Sequence, residues 1–285
     1  MIRKISEIMI KNFVAVDTCD GVLKAERMLT ENNAEGALVF EGTTLVGVVT
    51  YKDLLRSHPN RIVADAMNTK IFYISLEASL WKAEEMFKKH HTEILIVKEN
   101  ATPVGFITKA ILYAELGKYI DPLTGLNRSD YIYYKADEIM KNKREIGIIF
   151  IDVNNFGYID KNYGHTIGDV ILKEIGSILK NNIPNDTYTC RFGGDEFVVV
   201  APYDLNECKN LAQNLRKTIE SYHFINNVPV SITTGIAGWK VGKNVNHNFR
   251  NIINIMNAAS LASTKAKKEE DGLSVAESFE IIDIA

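Results

Sequence analysis

The sequence predicts an α+β protein built as two domains, and three observations carry that expectation. The chain has 285 residues, about twice the length of an ordinary domain. Its first 118 residues repeat themselves at a constant offset of 58. After Asp121 the repeat stops, and long helical stripes alternate with β-branched runs around a Gly-Gly turn. The boundary therefore falls near Lys118, giving domains 1–118 and 119–285, with the two copies at about 1–58 and 59–116.

The repeat is legible residue by residue. The offset aligns Met9 with Met67, Lys24-Ala25-Glu26 with Lys82-Ala83-Glu84, and Met28 with Met86. It runs on through Glu35 and Glu93, Val39 and Val97, Thr50 and Thr108, and Leu54 and Leu112. Each copy opens with an amphipathic helix (Val22, Ala25, Met28, Leu29; then Leu80, Ala83, Met86, Phe87). Two short apolar strands follow, joined by Glu41-Gly42-Thr43-Thr44 or by Glu99-Asn100-Ala101-Thr102. A short helix after Thr50 or Thr108 closes the unit. One copy has too little apolar surface for a core of its own, so the two are expected to pack together. The apolar periodicity from Lys109 to Ile120 predicts a helix joining the two halves.

Composition excludes several classes. The chain is 46% hydrophobic and 24% charged, with 18 glycines and 6 prolines, a globular profile and not a low-complexity one. It carries 33 basic and 36 acidic residues, 15 of each through Lys118, so neither half has the basic excess that nucleic acid requires. No apolar run reaches the roughly 20 residues of a membrane span. Glu7 stands where a signal peptide would need its apolar segment. Cys19, Cys190 and Cys208 are odd in number and far apart, which argues for a reducing compartment and no cysteine metal cage. A cytoplasmic protein is expected.

In the first copy, Gly47-Val48-Val49-Thr50-Tyr51-Lys52-Asp53 combines a glycine, a hydroxyl at a helix start and an acid three residues on. With the repeat around it, the segment resembles a tandem pair of CBS domains, an α/β module. The resemblance implies that Thr50 and Asp53 hold the phosphate and ribose of an adenine nucleotide. The second copy reads Gly105-Phe106-Ile107-Thr108-Lys109-Ala110-Ile111 and lacks the acid, so one site is implied. The same two residues also read as a helix N-cap with its first-turn acid.

The second half carries acids at turns. Ile146-Gly147-Ile148-Ile149-Phe150-Ile151 is a buried strand ending at Asp152. Gly164-His165-Thr166-Ile167-Gly168-Asp169 opens a helix striped by Ile167, Ile171, Ile175 and Ile178. Cys190-Arg191-Phe192-Gly193-Gly194-Asp195-Glu196-Phe197 reads as a tight hairpin with positive φ, projecting acids from its turn. Asp152 with Asp195 and Glu196 is a donor set suited to Mg²⁺, which takes one or two carboxylates besides phosphate and water.

These residues resemble the GGDEF family of diguanylate cyclases from Asp121 to near Lys268. The resemblance implies a palm-like domain whose central antiparallel sheet is flanked by helices. It also implies a homodimer that condenses two GTP into cyclic diguanylate with Mg²⁺ or Mn²⁺. Asp152, the Val153 carbonyl, Asp195 and Glu196 would hold metal, and Asp195 and Glu196 would serve catalysis. The amides of Asn155 and Phe156 would cradle phosphate, Asp160 and Asp169 would face the base, and Lys265 would bind phosphate.

The family pattern also breaks. Asn154 replaces an acid, Gly157 a lysine, Asp160 the guanine-reading asparagine, and Glu269 an arginine. Pro184-Asn185-Asp186-Thr187 lacks both charges of the product-inhibition motif. Two functions therefore fit: a cyclase regulated by its CBS pair, or a degenerate domain that binds a nucleotide without turnover. Turnover of a nucleotide other than GTP is a third.

Overall fold

The computed structural model describes residues 3–11, 13–100, 102–142, 145–239 and 249–276. Ala101 of the second copy's turn lies outside them. The chain forms two compact units, Met1–Lys118 and Tyr119–Ala285. Among the described residues no helix is long and apolar enough to cross a membrane.

In the first unit the 58-residue offset reappears as structure. Copy one runs β1 (Val14–Asp17), α1 (Val22–Glu31), β2 (Gly36–Glu41), β3 (Thr44–Thr50) and α2 (Tyr51–Arg56), followed by the short α3 (Val63–Ala66). Copy two runs β4 (Tyr73–Ser75), α4 (Leu80–His90), β5 (Ile94–Glu99), β6 (Thr102–Thr108) and α5 (Lys109–Leu116). Each three-stranded sheet has its middle strand parallel to the first and antiparallel to the third. The register slips at the same place in both, after Val39 and after Val97. Helix α1 buries Val22, Ala25 and Leu29, and α4 buries their equivalents Leu80, Ala83 and Phe87.

The copies exchange partners. Ile10, ahead of copy one, exchanges two backbone hydrogen bonds with Phe106 on β6, at 2.9 and 3.1 Å. Asn68, ahead of copy two, does the same with Val48 on β3, at 3.0 and 2.7 Å. Residues 10 and 68, and 106 and 48, are related by the repeat offset, so the arrangement has a local two-fold. Glycine permits the close approach: a Cβ on Gly105 would stand 2.3 Å from the Ile10 carbonyl oxygen. Leu38, Val48, Ile94, Ile96 and Phe106 form one apolar cluster drawn from both copies.

The predicted helix from Lys109 to Ile120 is shorter in the structure. Helix α5 ends at Leu116, and a 3₁₀ turn, Gly117–Tyr119, follows. Glycine at this point favours leaving the α-helix.

The second unit is built on a six-stranded mixed sheet, ordered β12-β11-β8-β10-β9-β7. Its strands are β7 (Asn127–Arg128), β8 (Ile146–Val153), β9 (Tyr188–Gly193), β10 (Glu196–Ala201), β11 (Ile232–Trp239) and β12 (Leu273–Val275). The four central strands are antiparallel, and the edge strands β7 and β12 pair parallel. The helices are α6 (Ser129–Lys141), α7 (Phe156–Tyr163), α8 (His165–Asn182), α9 (Leu205–Ser221) and α10 (Phe249–Ala266). Because side chains alternate along a strand, β8 feeds two cores. Ile149, Ile151 and Val153 pack with α8 and α9, where Cys208 is buried. Ile148 and Phe150 pack with α6 and α10.

Candidate functional site

Asp152 continues the alternation of Ile148 and Phe150, which places it on the α6 and α10 face of β8. It stands in register with Glu196 on β10 and with Thr233 on β11. One level of the sheet thus carries a carboxylate, a second carboxylate and a hydroxyl in a row across three strands. The Oδ1 atom of Asp152 is buried and accepts no hydrogen bond among the described residues. Lys267 Nζ approaches it to 2.8 Å as an ion pair, off the hydrogen-bonding directions.

Helix α10 delivers that lysine. It lies against β11 through small residues, Ala258, Ala259, Ala262 and Ser263. At Gly235 the contact is backbone to backbone: a Cβ there would stand 2.0 Å from Ser263 N and 2.1 Å from Ala259 O. Lys267 follows directly on the last helical residue and so comes down beside Asp152. Lys265, to which the sequence assigned the phosphate contact, is exposed on the last turn. The segment after it, read from sequence as a solvated helix end, is anchored at Lys267. Helical phase explains the difference, since residues two apart on a helix face different directions.

The hairpin tip is fixed from both sides. Of its two glycines, Gly194 takes the positive φ expected of the hairpin, at 37°. Arg191 Nε donates to the Gly194 carbonyl at 2.8 Å, while its Nη1 reaches both carboxylate oxygens of Asp121 at 3.1 and 3.2 Å. Burial alone would raise the Asp121 pKa. Hydrogen bonds from the Thr124 hydroxyl and amide and from Arg191 outweigh it and hold the group below its ordinary value. The Val153 amide donates to the Asp195 carbonyl at 3.2 Å, tying the tip to the end of β8. Neither Arg191 nor Lys267 was singled out by the sequence reading; both became visible only when the chain brought their acids to them.

Asp195 and Glu196 are both held above the usual carboxylate range. For Asp195 the cause is first burial, then the charge of Asp152. For Glu196 it is burial, then the charges of Asp152 and Asp195. Lys267 opposes both shifts. Among the described residues no three His, Cys, Asp or Glu side chains are gathered closely enough to hold a metal, while Asp152, Val153, Asp195 and Glu196 stand at the adjoining ends of β8 and β10. Carboxylates crowded together repel, and Asp152 takes the Lys267 ammonium instead. The oxygen-only pair of Asp152 and Glu196 has the donor chemistry of a hard divalent cation.

Around this row lie the remaining motif residues. Asn155 turns the chain in the left-handed region, φ 52°, ahead of α7. Its carbonyl accepts from Tyr158 and Ile159, so the amides of Asn155, Phe156 and Gly157 are the unsatisfied first-turn donors. Asn154, where the family has an acid, donates from its side-chain amide to Ser231 Oγ at 2.9 Å, whereas a carboxylate there could only accept from that hydroxyl. Asp160 is paired with His165, Oδ2 to Nδ1 at 2.9 Å. That histidine is exposed and answers Asp160, while Asp169 stands exposed one turn into α8. Pro184 and Thr187 close a tight turn, with Asp186 accepting from the Tyr203 hydroxyl.

In the first unit Thr50 and Asp53 form a reciprocal cap. Thr50 Oγ1 accepts from the Asp53 amide, and Asp53 Oδ2 accepts from the Thr50 amide and hydroxyl, at 2.9 and 2.5 Å. Thr108 caps α5 through the Ile111 amide alone. A cavity of about 350 Å³ opens between the two copies. Its walls repeat with the chain, Glu35, Thr50, Tyr51 and Lys52 from one copy and their equivalents Glu93, Thr108, Lys109 and Ala110 from the other. Asp53 is not among its lining residues.

Comparison with known proteins agrees with this architecture. Residues 5–59 and 63–117 match the CBS domain model, and residues 118–271 match the model described as diguanylate cyclase, GGDEF domain. Uncharacterized membrane proteins of Staphylococcus epidermidis and Staphylococcus aureus are 32% and 34% identical over 132 residues, 44% of this chain. The chain matches only 37% of the length of either relative. The coiled coil and GGDEF domain of DgcB from Caulobacter crescentus, solved with c-di-GMP, superposes with a TM-score of 0.51 at 15% identity, covering 69% of this chain and 95% of that one. Diguanylate cyclase SiaD from Pseudomonas aeruginosa, solved with its activator SiaC, gives 0.51 at 17% identity, with 68% of each chain covered. At such identities these likenesses speak for the fold. With its family model matched over more than half of its length, the chain belongs to the GGDEF family and carries a tandem pair of CBS domains ahead of that domain.

Proposed function

We propose that this chain is a nucleotidyltransferase of the diguanylate cyclase type, joining two GTP into cyclic diguanylate in a homodimer. The observation that carries the reading is the row on the sheet: Asp152 and Glu196 in register, an unfilled acceptor on Asp152, and Lys267 beside it. Asp152 and Glu196, with the Val153 carbonyl and Asp195 close by, would hold Mg²⁺ or Mn²⁺, which when bound neutralises the triphosphate and polarises the α-phosphorus. Lys267 is suited to leave Asp152 for a phosphate oxygen. Glu196, its pKa raised by burial and by neighbouring charge, is suited to accept the proton of the attacking 3′-hydroxyl. Each attack forms one P–O bond and releases pyrophosphate, and two such attacks close the ring. The amides of Asn155 and Phe156 supply donors to phosphate, and Asp169 accepts from the base.

A second reading has its own observation. Asp160 is engaged by His165, and at Gly157 no side chain supplies a cation, so triphosphate and guanine contacts are weakened at two places. This favours nucleotide binding without turnover, or turnover of a base with a different edge. Incubating the full chain with Mg²⁺ and each nucleoside triphosphate, followed by chromatography, separates the readings. A cyclic dinucleotide from GTP, abolished in Glu196→Gln, supports the cyclase. Nucleotide binding with no product in any mixture overturns it.

The cavity between the CBS copies is the proposed seat of an adenine nucleotide that regulates the enzyme, Thr50 contributing its hydroxyl. Asp53 would have to leave its cap to join. AMP or ATP should shift both the thermal midpoint and the product rate; no change in either counts against a ligand there.

A further inference from the structure

We infer that Thr233 is a positioning residue of the strand-end site: its hydroxyl holds one oxygen of Asp152 and leaves the other for the divalent cation. The inference rests on the cation reading above, but its observations concern this chain's own atoms. Thr233 is 3% exposed, and its Oγ1 is buried without a hydrogen-bond partner among the described residues. Asp152 Oδ1 is in the same condition. The two residues face each other across β11 and β8, and cross-strand neighbours on one face lie within side-chain reach. A buried hydroxyl without an acceptor thus stands next to a carboxylate oxygen that is met by the Lys267 ammonium at 2.8 Å and by no neighbour within the sheet.

Buried polar groups are almost always paired, and each exception calls for an explanation, of which a role in holding a ligand or ion is one. Here the competing partner is visible, since the Lys267 ammonium lies 2.8 Å from Asp152 Oδ1. Once Lys267 turns to phosphate, the Thr233 O–H is the donor left to orient the carboxylate. Thr234 provides a control within the same strand. Its hydroxyl is equally buried and unpartnered, but it is in register with Ile151 and faces the opposite core.

The test is Mn²⁺ binding to the full chain, read by loss of the free-ion electron paramagnetic resonance signal with GTP present. Thermal midpoints are recorded in the absence of metal. T233V, which keeps shape and removes the hydroxyl, should bind Mn²⁺ about tenfold more weakly, the usual cost of losing a group that orients a ligand. Its metal-free midpoint should not fall. T233S should restore affinity to near the unmutated value, and T234V should bind as the unmutated chain does. If T233V does not fold, T233A carries the same expectation. Unchanged affinity in T233V, or an equal loss in T234V, overturns the role of Thr233 while leaving the cation site standing. If the unmutated chain takes up no Mn²⁺, the cation reading falls and this inference with it.

Discussion

Each unit of this chain contains a threonine next to an aspartate, and the two pairs behave differently. Thr50 and Asp53 are three residues apart at a helix start and satisfy each other completely, hydroxyl to amide and carboxylate to amide and hydroxyl. Thr233 and Asp152 are brought together from β11 and β8, stand side by side, and share no hydrogen bond. The first pair is local, so it forms whenever its helix forms and contributes to folding. The second exists only when the sheet is complete; its hydroxyl is unbonded and its carboxylate is held by Lys267 from another segment. Unmet bonding capacity, and not the presence of acids alone, distinguishes the place where chemistry is proposed from the place where a helix is stopped.

The comparison can be broken most forcefully through the scaffold. Gly235→Ala would force a Cβ against the backbone of α10. It should cost about 3 kcal/mol, at the upper end of overpacking penalties, measured by denaturant titration. It should also move Lys267 off Asp152, which a change in metal affinity would report. A stable variant with intact affinity would show that the close approach does not place the lysine.

The local pair should respond less strongly. Thr50→Ala removes a cap and should destabilise the chain by about 1 kcal/mol. Thr233→Val should leave metal-free stability unchanged or raise it. If both substitutions destabilise equally, the distinction between a satisfied and an unsatisfied pair fails.

The smallest effect is one of charge. For an acid whose pKa is raised on folding, the native state keeps its proton longer than the unfolded chain does. Stability is therefore present at low pH and declines as pH climbs from the ordinary values, 3.8 for Asp195 and 4.5 for Glu196, through the folded pKa. Lys267 lowers both groups. Lys267→Met should therefore push both titrations further up, widening the window of decline, as carboxyl NMR titration would show. A downward or absent shift would mean that the ammonium does not act on the tip acids.

Much of the fold was written locally. The offset of 58 predicted two equivalent sheets, and the structure repeats even the register slip after Val39 and Val97. Helix stripes such as Val22, Ala25 and Leu29 needed only period and polarity. The strand ending near Asp152 and the turn at Gly194 were likewise readable, because a β-branched run and a glycine pair act over a few residues. What was not legible was the pairing at the end of α10: the motif pointed to Lys265 for phosphate, and it is Lys267 that stands against Asp152. The helix end and the path after it depend on how α10 seats on Gly235, which no run of letters expresses. The pairing of Asp160 with His165 was missed for a related reason, since it needs the turn at Gly164 between two helices.

By itself, the sequence determined the repeat, the main amphipathic helices and apolar strands, and which residue types stand at the acid turns, because these follow from periodicity and from the conformational preferences of neighbouring residues. Only the tertiary structure decided which of those groups meet. Asp152, Glu196, Thr233 and Lys267 come from four separate segments, and their distances are set by sheet register and by the depth at which one helix packs, quantities that arise from the whole core.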